Sequence, residues 1–143
     1  MLFQIHLTIL AATIIVILCT EHLGFQYVRG LRKTLNLREI LVLHYLVLAG
    51  LSGMILTGFT MAYPAIGTLL SQPLFILKVS FVVILIINAI FIASLIKIAT
   101  EVPFVSLTLL QKAPLIVSGA LSTVGWIGAI ISALLLFGWP ALF

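Results

Sequence analysis

Long uninterrupted apolar runs make up most of the chain, and polar residues are gathered in short segments between them. Charged side chains are absent from four stretches, which are residues 1–20, 40–77, 79–96 and 113–143. Each stretch reaches or exceeds the roughly 18 apolar residues that a helix needs to cross a bilayer. The pattern predicts an all-α integral membrane protein with a single transmembrane domain over residues 1–143. Its four helices are expected near residues 2–28, 40–62, 74–98 and 115–137.

Residues that favour turns separate the predicted helices. Gly30 and Asn36 mark the first connection, and Pro64 ends the second helix. Pro103 follows the third helix, and the segment between it and residue 115 is expected to lie partly along the membrane interface. Trp139, near the outer end of the fourth helix, suits the head-group region. Because the connections are short, neighbouring helices should run antiparallel in a four-helix bundle.

Composition and charge set the environment and the orientation. Hydrophobic residues make up 64% of the chain and charged residues only 7%, whereas a soluble domain has about a quarter charged residues. Six of the seven basic residues fall in the first and third connections, which should therefore share the cytoplasmic side. The six are Arg29, Arg32, Lys33, Arg38, Lys97 and Lys112. Both termini are expected outside, the cytoplasmic membrane of a prokaryote is the expected location, and the net charge of +4 reflects topology rather than nucleic-acid binding.

Small residues recur at four-residue spacing in the second and fourth predicted helices. The two sets are Ala49, Gly53 and Thr57, and Gly125, Ala129 and Ala133. In lipid, apolar burial gives no drive between helices, so such stripes allow the close approach that holds a bundle together.

Ionisable side chains inside a membrane are costly and are functional candidates. Because successive helices reverse direction, His6 near the outer end of the first helix should lie level with Lys78 in the third. At the inner end, His22 should lie level with His44 of the second helix and near Glu21. The sequence therefore predicts two levels of candidate ligands.

The face that the first helix turns inward is left open by the sequence. His6 and His22 are separated by about 24 Å along the axis and by roughly 160° around it. His6 shares its face with Thr13 and Thr20, whereas His22 shares its face with Thr8 and Cys19. Both faces carry polar and small residues, so periodicity does not choose between them.

Imidazoles on facing helices suit a b-type haem, because a neutral ring nitrogen can bind iron and an apolar bundle covers the porphyrin. The predicted cofactor is haem b, with His6, His22, His44 and Lys78 as candidate iron ligands. Asn88 adds an amide at mid-membrane and is a further candidate cofactor contact. A quinone or a chlorophyll-type pigment is the alternative cofactor.

The histidine near the outer end of the first helix and the segment "PLFILKVSFVVILIINAIF" resemble a known group of proteins. The pattern is similar to the small four-helix membrane proteins that include the HemJ-type protoporphyrinogen oxidase and the CopD-like group. The resemblance implies that His6 and Lys78 are tied to haem binding and activity. Asn88 stands near the place where a later histidine falls in the HemJ type.

Three functions follow from these residues. The first is a cytochrome b-like protein that passes electrons within the bilayer or to a partner membrane complex. The second is a cofactor-free structural or assembly subunit, which would pack through its small-residue stripes on a larger membrane complex or form a homo-oligomer. The third, implied by the resemblance, is an enzyme that oxidises a porphyrinogen. The lipid bilayer is the expected partner in each case.

Overall fold

Helices account for all the regular structure in the part of the chain that the computed structural model describes, which is residues 1–137. Four of them are long and apolar enough to cross a membrane, so the all-α prediction with four candidate spans is confirmed. Trp139 lies outside the described residues. The elements are α1 (Leu2–Val28), α2 (Leu37–Ala62), a 3₁₀ turn (Tyr63–Ala65), the short α3 (Ile66–Leu69), α4 (Pro73–Glu101), a second 3₁₀ turn (Phe104–Ser106) and α5 (Leu109–Phe137).

Capping interactions set the helix starts that differ most from the predicted ones. α2 begins at Leu37 because the Asn36 side chain accepts a hydrogen bond from the Glu39 N–H at 3.2 Å. α5 begins six residues before the predicted start, since Gln111 Oε1 accepts from the Thr108 N–H at 3.0 Å in a capping-box arrangement. The segment expected along the interface therefore forms the second 3₁₀ turn and the first turns of α5, and Pro114 is accommodated within the helix.

The long helices form two antiparallel hairpins through close contacts at glycines. In the first hairpin, Thr13 of α1 lies against Gly50 of α2, and Ile9 lies against Gly53. In the second, Leu85 of α4 lies against Gly125 of α5, and Phe81 lies against Gly128. Gly53 and Gly125 of the predicted stripes are thus used for packing within the chain, together with Gly50 and Gly128, whereas Ala49 is exposed.

A looser seam joins the two hairpins, chiefly through α2 and α4. Leu51 and Leu85 share one buried cluster near the middle of the helices. Ile40 and Ile96 share a second cluster at the end that holds the first and third connections. Both pairs follow the same antiparallel register, so α2 and α4 are aligned along much of their length.

The first and third connections are bonded together at one end of the bundle. The Tyr27 hydroxyl donates to the Val102 carbonyl at 2.7 Å, and the Leu35 N–H donates to the Ala99 carbonyl at 3.0 Å. Tyr27 is only 2% exposed and also makes an edge contact with the Phe104 ring. These contacts place the six basic residues of the two connections at the same end of the molecule, as the charge pattern predicts.

We expect Gly50→Ala to weaken the α1–α2 hairpin, because the added Cβ would meet the buried side chain of Thr13. Overpacking of this kind costs about 1–3 kcal/mol. Gly119→Ala is the matched control, since nothing lies within 4 Å of a Cβ at that position of α5. Unfolding titrations in mixed micelles should show a lower free energy of unfolding for Gly50→Ala and an equal or higher one for Gly119→Ala. Equal stability of the two variants would contradict the close approach at Gly50.

Candidate functional site

His6 lies on the face of α1 that packs toward α2. It is 8% exposed, and Thr13 on the same face is 3% exposed. Nine residues after Thr13, at about 100° per residue, His22 lies on the opposite side of the helix, where it is exposed. The structure thus decides which face of α1 turns inward: it is the face with His6.

The imidazole of His6 is held by a hydrogen bond to α2. Its Nδ1 lies 2.6 Å from Oγ1 of Thr57. The Thr57 hydroxyl is also 2.7 Å from the Gly53 carbonyl oxygen, which can only accept. The hydroxyl hydrogen therefore belongs to the bond with Gly53, and the Nδ1–H of His6 donates to Thr57. In neutral His6 this leaves the lone pair on Nε2, the ring nitrogen that can bind a metal.

Lys78 of α4 reaches the same level across the seam. The register that aligns Leu51 with Leu85 places Lys78 level with Gly58. A Cβ at Gly58 would lie 3.5 Å from Cε1 of His6, so that glycine borders the imidazole. Lys78 is half-buried. The structure therefore has the outer pair at one level of the bundle, with one residue from each hairpin.

The inner pair is not brought together in the same way. His22 is exposed, and its Nε2 lies 2.8 Å from Nε2 of Gln26, one turn further along α1. His44 is half-buried, and its ring lies 6.0 Å from that of the adjacent Tyr45. Within residues 1–137, no hydrogen bond or ring contact joins the two imidazoles. His22 thus lies on the exposed face of α1, away from the face that carries His6.

Asn88 ties α4 to α5 at a different depth. Its Nδ2 donates to the Ser118 carbonyl at 2.9 Å, and the residue is 2% exposed. In the described part of the chain, its Oδ1 is buried without a hydrogen-bond partner. Ten residues separate it from Lys78, which is about 15 Å along the helix. Asn88 therefore does not belong to the level of His6 and Lys78.

Two polar contacts of the bundle were not predicted as parts of a site. Thr57 was assigned only to a small-residue stripe, although its pairing with His6 follows once Thr13 and Gly50 fix the register of the hairpin. Glu21 on α1 lies near the hydroxyls of Ser122 and Thr123 on α5. The second contact joins α1 to α5 and could not be read from periodicity within one helix.

The groups at the outer level that could hold a haem iron are the imidazole of His6 and the amine of Lys78. They come from opposite hairpins. Within residues 1–137 there is no group of three or more His, Cys, Asp or Glu side chains placed to hold a metal ion.

Comparison with known proteins gives no relative of this chain. The sequence matches no protein-family model and no curated protein, and the fold matches no solved structure.

We expect Thr57→Val to change the tautomer of His6, because valine cannot accept the hydrogen bond from Nδ1–H. Nitrogen-15 NMR of histidine-labelled protein in micelles should show the Nδ1–H form for His6 in the wild type and a shift toward the Nε2–H form in the variant. Thr57→Ser keeps the acceptor and should keep the wild-type signal. The signals of His22, which has its own partner in Gln26, should stay unchanged in both variants. A wild-type His6 in the Nε2–H form would overturn the hydrogen-bond assignment.

Proposed function

We propose that this chain is an integral membrane protein that binds haem b between its two hairpins and transfers electrons within the bilayer or to a partner membrane complex. The observation that carries the proposal is the hydrogen bond between His6 Nδ1 and Thr57 Oγ1. Histidines that bind metals almost always donate their other ring N–H to a nearby acceptor, which fixes the tautomer and the ring orientation. Thr57 supplies that acceptor here.

Burial of His6 supports the same function. An ionisable side chain such as an imidazole is costly in an apolar helix and is usually paired or functional. The hydrogen bond to Thr57 satisfies only Nδ1 of His6. Nε2 is left for a second interaction near Lys78. The haem supplies a one-electron redox centre, and the apolar helices around it exclude water and so help to set its potential.

Lys78 is proposed as a second residue that would hold the haem. A neutral amine can coordinate iron, and burial in an apolar helix favours the neutral form of a lysine. His6 and Lys78 belong to different hairpins, so a porphyrin between them would lie in the α2–α4 seam. That seam is less extensively packed than either hairpin, which makes it the interface that can separate at the smallest cost.

The orientation is proposed from the charged end of the bundle. The basic residues of the first and third connections lie at one end, and basic segments are retained in the cytoplasm. Both termini, and with them the level of His6 and Lys78, are then near the outer surface. The cytoplasmic membrane of a prokaryote is the proposed location.

The test of haem binding compares two histidines on the same helix. Protein purified from haem-replete cells should show a Soret band and a reduced-minus-oxidised spectrum of the b type. We expect His6→Ala to lower haem occupancy at least about tenfold, in line with the loss of a metal ligand. His22→Ala should keep the wild-type occupancy, because His22 is exposed on the opposite face of α1.

A colourless wild type, or equal haem loss in both variants, would contradict the proposed site. If the wild type is colourless, the remaining candidate function is that of a cofactor-free assembly subunit.

Porphyrinogen oxidation, which the family resemblance implies, would require the haem-loaded protein to turn over a porphyrinogen as well. That activity is measured by the appearance of porphyrin fluorescence and is separate from the occupancy of the site.

The role of Lys78 has its own readout in the reduced protein. If Lys78 fills the sixth coordination position, wild-type ferrous haem should bind carbon monoxide poorly. Lys78→Leu should bind it readily and show a shifted Soret band, with haem still held by His6. Lys97→Leu, a change of the same kind at the other end of α4, should behave like the wild type. Equal carbon monoxide binding by the wild type and Lys78→Leu would remove Lys78 from the ligand set.

A further inference from the structure

An open groove of about 740 Å³ lies between α1 and the first turns of α2 at the basic end of the bundle. It does not belong to the proposed haem level, because His6 and Lys78 lie near the other end of their helices. His22 and Cys19, which line it from α1, are exposed on the side of that helix turned away from the bundle interior. The groove therefore opens on the surface that a bilayer would cover.

One end of the groove is suited to a phosphate group. Arg38 lines it from the first turn of α2, next to the helix N-terminus and the Asn36 cap. Helix N-termini attract anions, and a guanidinium forms paired hydrogen bonds with phosphate oxygens. The carboxylate of Glu39, which also lines the groove, is paired with Arg32 at 2.9 Å.

The positive charge of Arg38 has no counterion in the described part of the chain. Within residues 1–137, Glu39 pairs with Arg32, and Arg38 forms no salt bridge. Arg38 is exposed and makes no hydrogen bond to another residue in that range. An anion at this end of the groove would thus meet a guanidinium that the protein itself does not neutralise.

The other end of the groove is apolar. Leu23 of α1 is buried there, and Val42 and Leu43 of α2 continue the apolar surface for a further turn. The polar end lies toward the connection and the apolar end toward the middle of the helices. This order matches a phospholipid in the adjacent leaflet, with its phosphate at the surface and its acyl chain directed inward.

We propose that this groove, lined by Cys19, His22, Leu23, Arg38, Val42 and Leu43, binds one anionic phospholipid, with the phosphate on Arg38 and an acyl chain along Leu23 and Val42. Charge complementarity selects the anionic head group, because the groove lies in the more basic of the two ends of the molecule. A cytoplasmic leaflet is rich in such lipids, and basic residues near it attract them. The proposal does not depend on haem binding.

Lipid retention from nanodiscs of stated composition tests the site. Wild-type protein is equilibrated in nanodiscs of phosphatidylcholine with a minority of phosphatidylglycerol and released for native mass spectrometry. We expect a phosphatidylglycerol adduct on the wild type. Arg38→Gln should reduce its retention about tenfold, as expected for loss of a charge-assisted hydrogen bond. Lys33→Gln removes a positive charge from the adjoining connection, outside the groove, and it should keep the adduct.

Several outcomes would overturn the lipid site. Equal loss in Arg38→Gln and Lys33→Gln would show that overall charge alone attracts the lipid, and unchanged retention in Arg38→Gln would remove Arg38 from the site. Equal retention of phosphatidylcholine by the wild type would contradict selection of an anionic head group. Displacement of the lipid by an equal concentration of inorganic phosphate would contradict a role for the acyl chain.

A second variant tests the apolar end without a change of charge. Val42→Trp would fill the surface next to Leu23, and Val42 is exposed, so the fold should tolerate the larger ring. We expect loss of the adduct with an unchanged unfolding transition. The Soret band of haem-loaded protein should be the same in Arg38→Gln and Val42→Trp as in the wild type, so failure of this proposal is distinguishable from failure of haem binding.

Discussion

The close approach of α1 and α2 is the contact on which the rest of the arrangement depends. Thr13 and Ile9 can lie against α2 because Gly50 and Gly53 present no side chain there. In lipid, helices gain little from burying apolar surface against one another, so packing density and hydrogen bonds decide which faces meet. The approach at the two glycines also sets the register that brings Thr57 to His6. A shift of one turn along the hairpin would leave the buried imidazole without its acceptor.

How far the sequence predicts this structure depends on whether the signal lies within one helix or between helices. The four spans follow from apolar runs that are long enough to be unambiguous, and the antiparallel order follows from short connections. The start of α5 was predicted six residues too late because the segment before residue 115 was expected to lie along the interface, although Thr108 and Gln111 carry a capping-box signal. Helix ends are set by such local bonds, and the apolar pattern does not report them.

The candidate site was predicted in part for the same reason. Reversal of direction between helices is enough to place His6 level with Lys78, and the structure has the two residues at one level. The inward face of α1 was left open because both faces carry polar and small residues, and only the glycines of α2 decide between them. The role of Thr57 required the register, which is a property of two helices and cannot be obtained from the periodicity of either one.

The bonds between the first and third connections have a mechanical consequence for the whole molecule. Tyr27 and Leu35 fasten the two hairpins together at the basic end through main-chain acceptors on the α4 side. At the other end, the chain itself joins the hairpins, since it runs from α2 to α4 through the first 3₁₀ turn and α3. That end carries His6 on one hairpin and Lys78 on the other. The two hairpins are therefore held at both ends, by hydrogen bonds at one and by the covalent chain at the other.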